Sequence, residues 1–74
     1  MILQETSIDR LMRDPLKAGR EYRMIEERIG FAKILKRQEI RENDLDDLAK
    51  IGRFATLNYD NSQWEQFRIG MNVY

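Results

Sequence analysis

Ala18, Tyr22, Ile25, Ile29 and Ala32 recur at spacings of four, three, four and three. Only a helix, with about 3.6 residues per turn, lines up such a series on one side. Met24, Phe31 and Leu35 widen that stripe to nearly half the circumference. A helix so broadly apolar needs contacts on two sides, more than one thin neighbour supplies. Asp14-Pro15 opens it, because Asp caps well and Pro at the first helical position lacks only an N–H that would be unpaired anyway. The pattern runs from Leu16 to about Arg41. The stripe keeps its phase across Gly30, so the spacing predicts one continuous helix, with the glycine letting another backbone come close.

Shorter elements flank it. Ser7 is placed to cap a helix Ile8–Arg13 that carries Ile8, Leu11 and Met12 on one side. Asp44 is placed to cap Leu45–Leu57, with Asp46 and Asp47 in a first turn where the helix dipole favours negative charge. Asn58-Tyr59-Asp60-Asn61 reads as turn chemistry. Ser62 with Glu65 fits a capping box opening a last helix through Trp64 and Phe67, which Gly70 ends. Met71–Tyr74 reads equally well as a tail or as a short strand beside Met1–Gln4. The expectation is a single all-α domain over residues 1–74. It has a long central helix, a shorter antiparallel acidic helix and short helices at the ends.

A chain of 74 residues needs help to hold such a fold, since it buries only about 60% of its unfolded surface. It has no Cys for a disulfide, and with no His either, a zinc site is not expected as the staple. Close helix packing or association is left. The same missing residues remove Ser–His–Asp, Cys–His and other His-based catalysis. Carboxylates, Lys or Tyr would need a desolvating cleft that so short a chain builds with difficulty. A non-enzymatic protein without cofactor or small-molecule substrate is therefore expected. No window holds the ~18 apolar residues of a membrane span, and Met1–Thr6 lacks the basic start and apolar core of a signal peptide. These features point to the cytoplasm or a virion, and a compact unstapled chain suits a phage or other mobile element.

The balance of 13 Lys+Arg against 13 Asp+Glu conceals a segregation. Residues 10–41 hold ten basic and five acidic side chains, residues 42–74 three and six, and residues 1–9 two acidic ones alone. The segments therefore carry +5, −3 and −2, which suits docking of the acidic helix onto the long one, or of one protomer onto another. A solvated face with incidental segregation is the plainer alternative. Lys33, Arg37 and Arg41, with Arg23 near in angle, form a row that could follow a phosphate backbone. Glu26 and Glu27 interrupt that face, and whole-chain neutrality argues against nucleic acid.

Leu48-Ala49-Lys50-Ile51-Gly52 and Trp64-Glu65-Gln66 faintly resemble helix-turn-helix repressors. The step from Ala49 to Gly52 is one residue shorter than theirs, and Asn58–Asn61 falls where their recognition helix runs. The aspartates at the start of the preceding helix would repel phosphates, so no family role is carried over. Glu42, Asp44, Asp46 and Asp47 lack the alternation, central Gly and closing Glu of a calcium loop and read as helix-start residues, so no metal site is assigned.

Five of the seven aromatics fall in the last 21 residues, and Trp64 and Phe67 suit either a core or a partner's pocket. The expected function is a protein-interaction module acting as a subunit of an assembly, a homo-oligomer, or a stoichiometric inhibitor or adaptor. Its expected contact residues are Tyr22, Met24, Ile25, Ile29, Phe31, Ala32 and Leu35, with Trp64 and Phe67. The alternative is a small nucleic-acid-binding regulator using Arg23, Lys33, Arg37 and Arg41.

Overall fold

The computed structural model describes residues 7–34 and 42–72, apart from the side chains of residues 32–34, 42 and 43. Among the described residues the protein is all-α, with no strand. Its helices are α1 (Ser7–Met12), α2 (Pro15–Ile34), α3 (Glu42–Asn58) and α4 (Asn61–Asn72). The rest of the helix expected to reach Arg41 lies outside the described residues, as do Met1–Gln4 and the last two residues of Met71–Tyr74. Met71 itself belongs to α4.

The start of α2 follows the local chemistry of its sequence. The Asp14 carboxylate accepts the Lys17 N–H at 3.3 Å, and the Asp14 carbonyl accepts the Ala18 N–H at 2.8 Å. Pro15 occupies the first helical position, and α2 runs unbroken through Gly30.

Three local expectations are corrected. Asp44 is not a cap: α3 begins at Glu42, and Asp44, 7% exposed, accepts a hydrogen bond from Arg28 Nη2 of α2 at 3.1 Å. Tertiary pairing with a cation takes the carboxylate that helix-start chemistry would also have used. The cap of α4 is Asp60, not Ser62. The Asp60 carboxylate accepts the Gln63 N–H at 2.8 Å while the Gln63 side chain accepts the Asp60 N–H at 3.0 Å. This is a complete capping box two residues upstream of the expected one. Finally, Gly70 lies inside α4 rather than ending it.

Gly70 belongs instead to the closest helix contact in the protein. The most extensive packing of α2 is with α4, not with acidic α3. A Cβ added to Gly70 would collide with the Leu16 carbonyl oxygen and lie 3.1 Å from the Arg20 nitrogen. One added to Gly19 would collide with the Phe67 carbonyl oxygen and lie 3.0 Å from the Met71 nitrogen. The two glycines remove side chains from each helix at the crossing, so the backbones touch. Gly30, where a close approach was expected, has nothing within 4 Å of such a Cβ. Arg23 adds a clamp at this crossing by donating from Nη1 to the Met71 carbonyl at 2.9 Å. That carbonyl is in the last turn of α4, where intrahelical partners run out.

The core comprises Met12, Ala18, Ile25, Ile29, Ile51, Ala55, Tyr59 and Phe67, with Ile8, Leu11, Tyr22, Leu48, Phe54, Trp64 and Met71 packed around it. All four helices contribute, yet Met12 and Ile51 are the largest side chains buried below 2% exposure. The molecule measures 37 × 37 × 18 Å. Its short dimension is close to two helix diameters of about 10 Å each, so few positions are screened from water on every side.

Candidate interaction surface

Tyr59, expected in a turn, is instead the hub of the aromatic core. It lies between α3 and α4, 9% exposed, with ring centroids 6.1 Å from Phe54, 6.2 Å from Trp64 and 6.0 Å from Phe67. All three contacts are edge-to-face, the geometry that ring quadrupoles favour. Its hydroxyl donates to the Met12 carbonyl at 2.8 Å and so ties the end of α1 to the α3–α4 junction. Burial, with a smaller contribution from the Asp14 charge, pushes the Tyr59 hydroxyl from its usual 10.0 up to about 12. The surrounding run of Asn and Asp masked this role. The clue was a large aromatic amid short polar residues, too apolar for a solvated turn.

The wide stripe of α2 divides in two. Ile25 and Ile29 are buried at 4% and 9% exposure, and Phe67 of α4 at 4%. Tyr22 is half-buried, its ring edge-to-face with Phe67 at 5.6 Å, and Trp64, also half-buried, meets Phe67 at the same distance. These five residues, three from α2 and two from α4, are occupied within the protomer as part of its core. Met24 and Phe31 are not so covered. They are 50% and 62% exposed on the side of α2 turned away from the core. Ala32 lies in α2 with its side chain outside the described set, and Leu35 lies outside the described residues.

Around Met24 and Phe31 lie charges of both signs. Lys17 and Arg20 precede Met24 on the same outer side, are exposed, and form no ion pair among the described residues. Arg28 keeps 49% of its side chain exposed while pairing with Asp44. Glu27 on this side is held by Arg23 Nε at 2.9 Å, and Glu21 lines one cleft with Lys17 and Arg28. Of the row considered for nucleic acid, Arg23 is thus engaged with Glu27 and with Met71. Lys33 lies in α2 with its side chain undescribed, and Arg37 and Arg41 lie outside the described residues.

The acidic start of α3 is also partnered in part. Asp46 accepts Lys50 Nζ at 2.9 Å, and that hydrogen bond, with the Asp46 charge, raises the lysine above its usual range. Among the described residues no three carboxylates gather as a metal-holding group, and no described helix is long and apolar enough to cross a membrane.

Two clefts flank α1. One, of about 410 Å³, sets Arg10, Lys17 and Arg28 against Asp14, Glu21 and Asp47 over Ile25 and Ile51. Equal numbers of opposite charges give it no net preference for either sign of ligand. The other, of about 470 Å³, runs beside Ile8, Phe54 and the 74%-exposed Leu57.

The chain matches no family model, no curated protein and no solved structure.

Proposed function

We propose that this protein is a non-enzymatic protein-interaction module, a small subunit of an assembly or a stoichiometric inhibitor or adaptor. The observation that carries the reading is the exposure of Met24 and Phe31 at 50% and 62%, on the side of α2 opposite the buried Ile25 and Ile29. Of the exposed large apolar residues, which also include Leu16, Leu45, Leu57 and Ile69, these two stand two turns apart on one side of a single helix, and methionine and aromatic residues are enriched where partners dock. The contact surface is smaller than the whole stripe, because Ile25, Ile29 and Phe67 already stabilise the protomer. The nucleic-acid alternative has weaker support, since Arg23 is committed to Glu27 and α4.

Sedimentation and native mass measurement on complexes recovered from the source cells test this. The intact chain is expected in a complex of defined stoichiometry, and the double variant Met24→Ser with Phe31→Ser is expected as a free, folded protomer. A complex indifferent to that variant, or a free monomer in both cases, overturns the reading.

A further inference from the structure

We infer that α1 is a strap over the seam between α2 and α3, one that opens as a unit while the rest of the fold stays closed. This does not depend on what the outer face of α2 binds. α1 is six residues long, Ser7–Met12, well short of the ~12–15 residues at which a helix begins to hold itself in water. It is helical because it lies on α2 and α3, both of which it contacts. Ile8 and Leu11 pack against the core while partly exposed, and Met12, 1% exposed, is its one buried residue.

The joint between α1 and α2 can turn without undoing either helix. Pro15 has no N–H to give, so the first residue of α2 sends no backbone hydrogen bond back into α1. α1 closes on itself, with the Asp14 N–H donating to the Leu11 carbonyl at 3.0 Å. α2 is capped from within the joint, since Asp14 accepts the Lys17 N–H through its carboxylate and the Ala18 N–H through its carbonyl. Rotation about Arg13 leaves those two bonds in place.

Water already reaches both sides of α1. Ser7 and Ile8 line both clefts, of which one extends to Ile25 and Ile51 and the other to Phe54. When α1 lifts, the two join into a single trough along the α2–α3 seam. The latch is the Tyr59 hydroxyl, which donates to the Met12 carbonyl at 2.8 Å. On opening, both groups pass to water. The rest of the fold holds without α1. The glycine crossing of α2 and α4, and the contacts of the Tyr59 ring with Phe54, Trp64 and Phe67, involve no α1 residue. A segment with so little buried surface opens ahead of global unfolding.

Peroxide oxidation of methionines in the intact chain, mapped by mass spectrometry beside amide hydrogen exchange, tests the strap. Met24, half-exposed, sets the rate for an open thioether. Met12 is expected to oxidise in native buffer while the amides of α2 and α4 stay protected, and to respond little to urea well below the unfolding transition. Tyr59→Phe removes the latch and is expected to speed Met12 oxidation roughly fivefold to tenfold, the worth of one hydrogen bond, with α2 and α4 still protected. Ile8→Ser, in the first turn of α1, is expected to act in the same direction and serves if Tyr59→Phe does not fold. Met12 oxidation that waits for the unfolding of α2 and α4 would overturn the strap. So would a variant that speeds exchange in α2 and α4 as much as oxidation of Met12.

Discussion

The two sides of α2 are made from the same helical pattern and meet opposite fates. On the inner side, Ala18 and Gly19 carry so little bulk that α4 lies against the backbone itself, and Ile25 and Ile29 close the core beside the crossing. On the outer side, Met24 and Phe31 stand as exposed as the lysine and arginine near them. Hydrophobicity alone does not separate the two. What separates them is whether another helix can come near enough, and glycines decide that. Packing on the inner side makes the protomer, and the outer side leaves Met24 and Phe31 exposed.

The largest effect that would break this contrast is a methyl group at the crossing. Gly70→Ala must push α4 away from the Leu16 carbonyl, because the obstruction is backbone and cannot rotate aside. A loss of about 1–3 kcal/mol, in the range for overpacking, is expected, or roughly 4–8 °C in melting midpoint for each kcal/mol in a domain this small. A thermal melt unchanged by the substitution would show that α2 and α4 do not touch as described.

Next comes Tyr59→Phe, which keeps the ring contacts and strands the buried Met12 carbonyl at a cost of about 1–2 kcal/mol by chemical denaturation. The hydroxyl also makes stability pH-dependent. Its folded value of about 12 lies above the usual 10.0, so the native state keeps a proton that the unfolded chain releases. This contribution is full below pH 10 and is lost as pH rises to about 12. In that window the parent chain should lose more stability than Tyr59→Phe does, and parallel curves would argue for an exposed hydroxyl.

Smaller again is the α4 cap. Asp60→Ala should cost about 1 kcal/mol, against less than about 0.5 for Ser62→Ala. The reverse ranking would restore the upstream turn to solvent and place the helix start at Ser62. The smallest expected change has the opposite sign. Gly30→Ala meets nothing within 4 Å and should stabilise α2 by about 0.5–1 kcal/mol through helix propensity. A destabilisation there would reveal a close neighbour on that side of α2. Two helical glycines, Gly70 of α4 and Gly30 of α2, would thus respond in opposite directions to the same added methyl.

That divergence also marks how much was legible beforehand. The start of α2 at Asp14-Pro15 and its passage through Gly30 could be read because both depend on neighbours along the chain. The central-helix arrangement and the all-α class followed from periodicity for the same reason. Gly70 misled because a glycine late in an apolar pattern usually means a stop. Asp44 and Ser62 misled because either could serve as a cap, and the choice fell to distant partners: Arg28 for the first, and for the second the core contacts of Tyr59, which place the turn at residues 59 and 60. For the proposed interaction surface, the apolar stripe of α2 was legible in the sequence, but not which of its residues the protomer itself buries.

The sequence by itself determined that this chain makes helices, where α2 begins, and that no disulfide could staple it. Helix-forming signals act over a few residues, so the order of residues contains them. Only the tertiary structure decided that α4 rather than acidic α3 is the close partner of α2. It also decided that Tyr59 is core, and that Met24 and Phe31 remain outside while Ile25 and Ile29 do not. Those outcomes depend on which backbones can approach, a property of pairs of surfaces far apart in the chain that no single periodicity records.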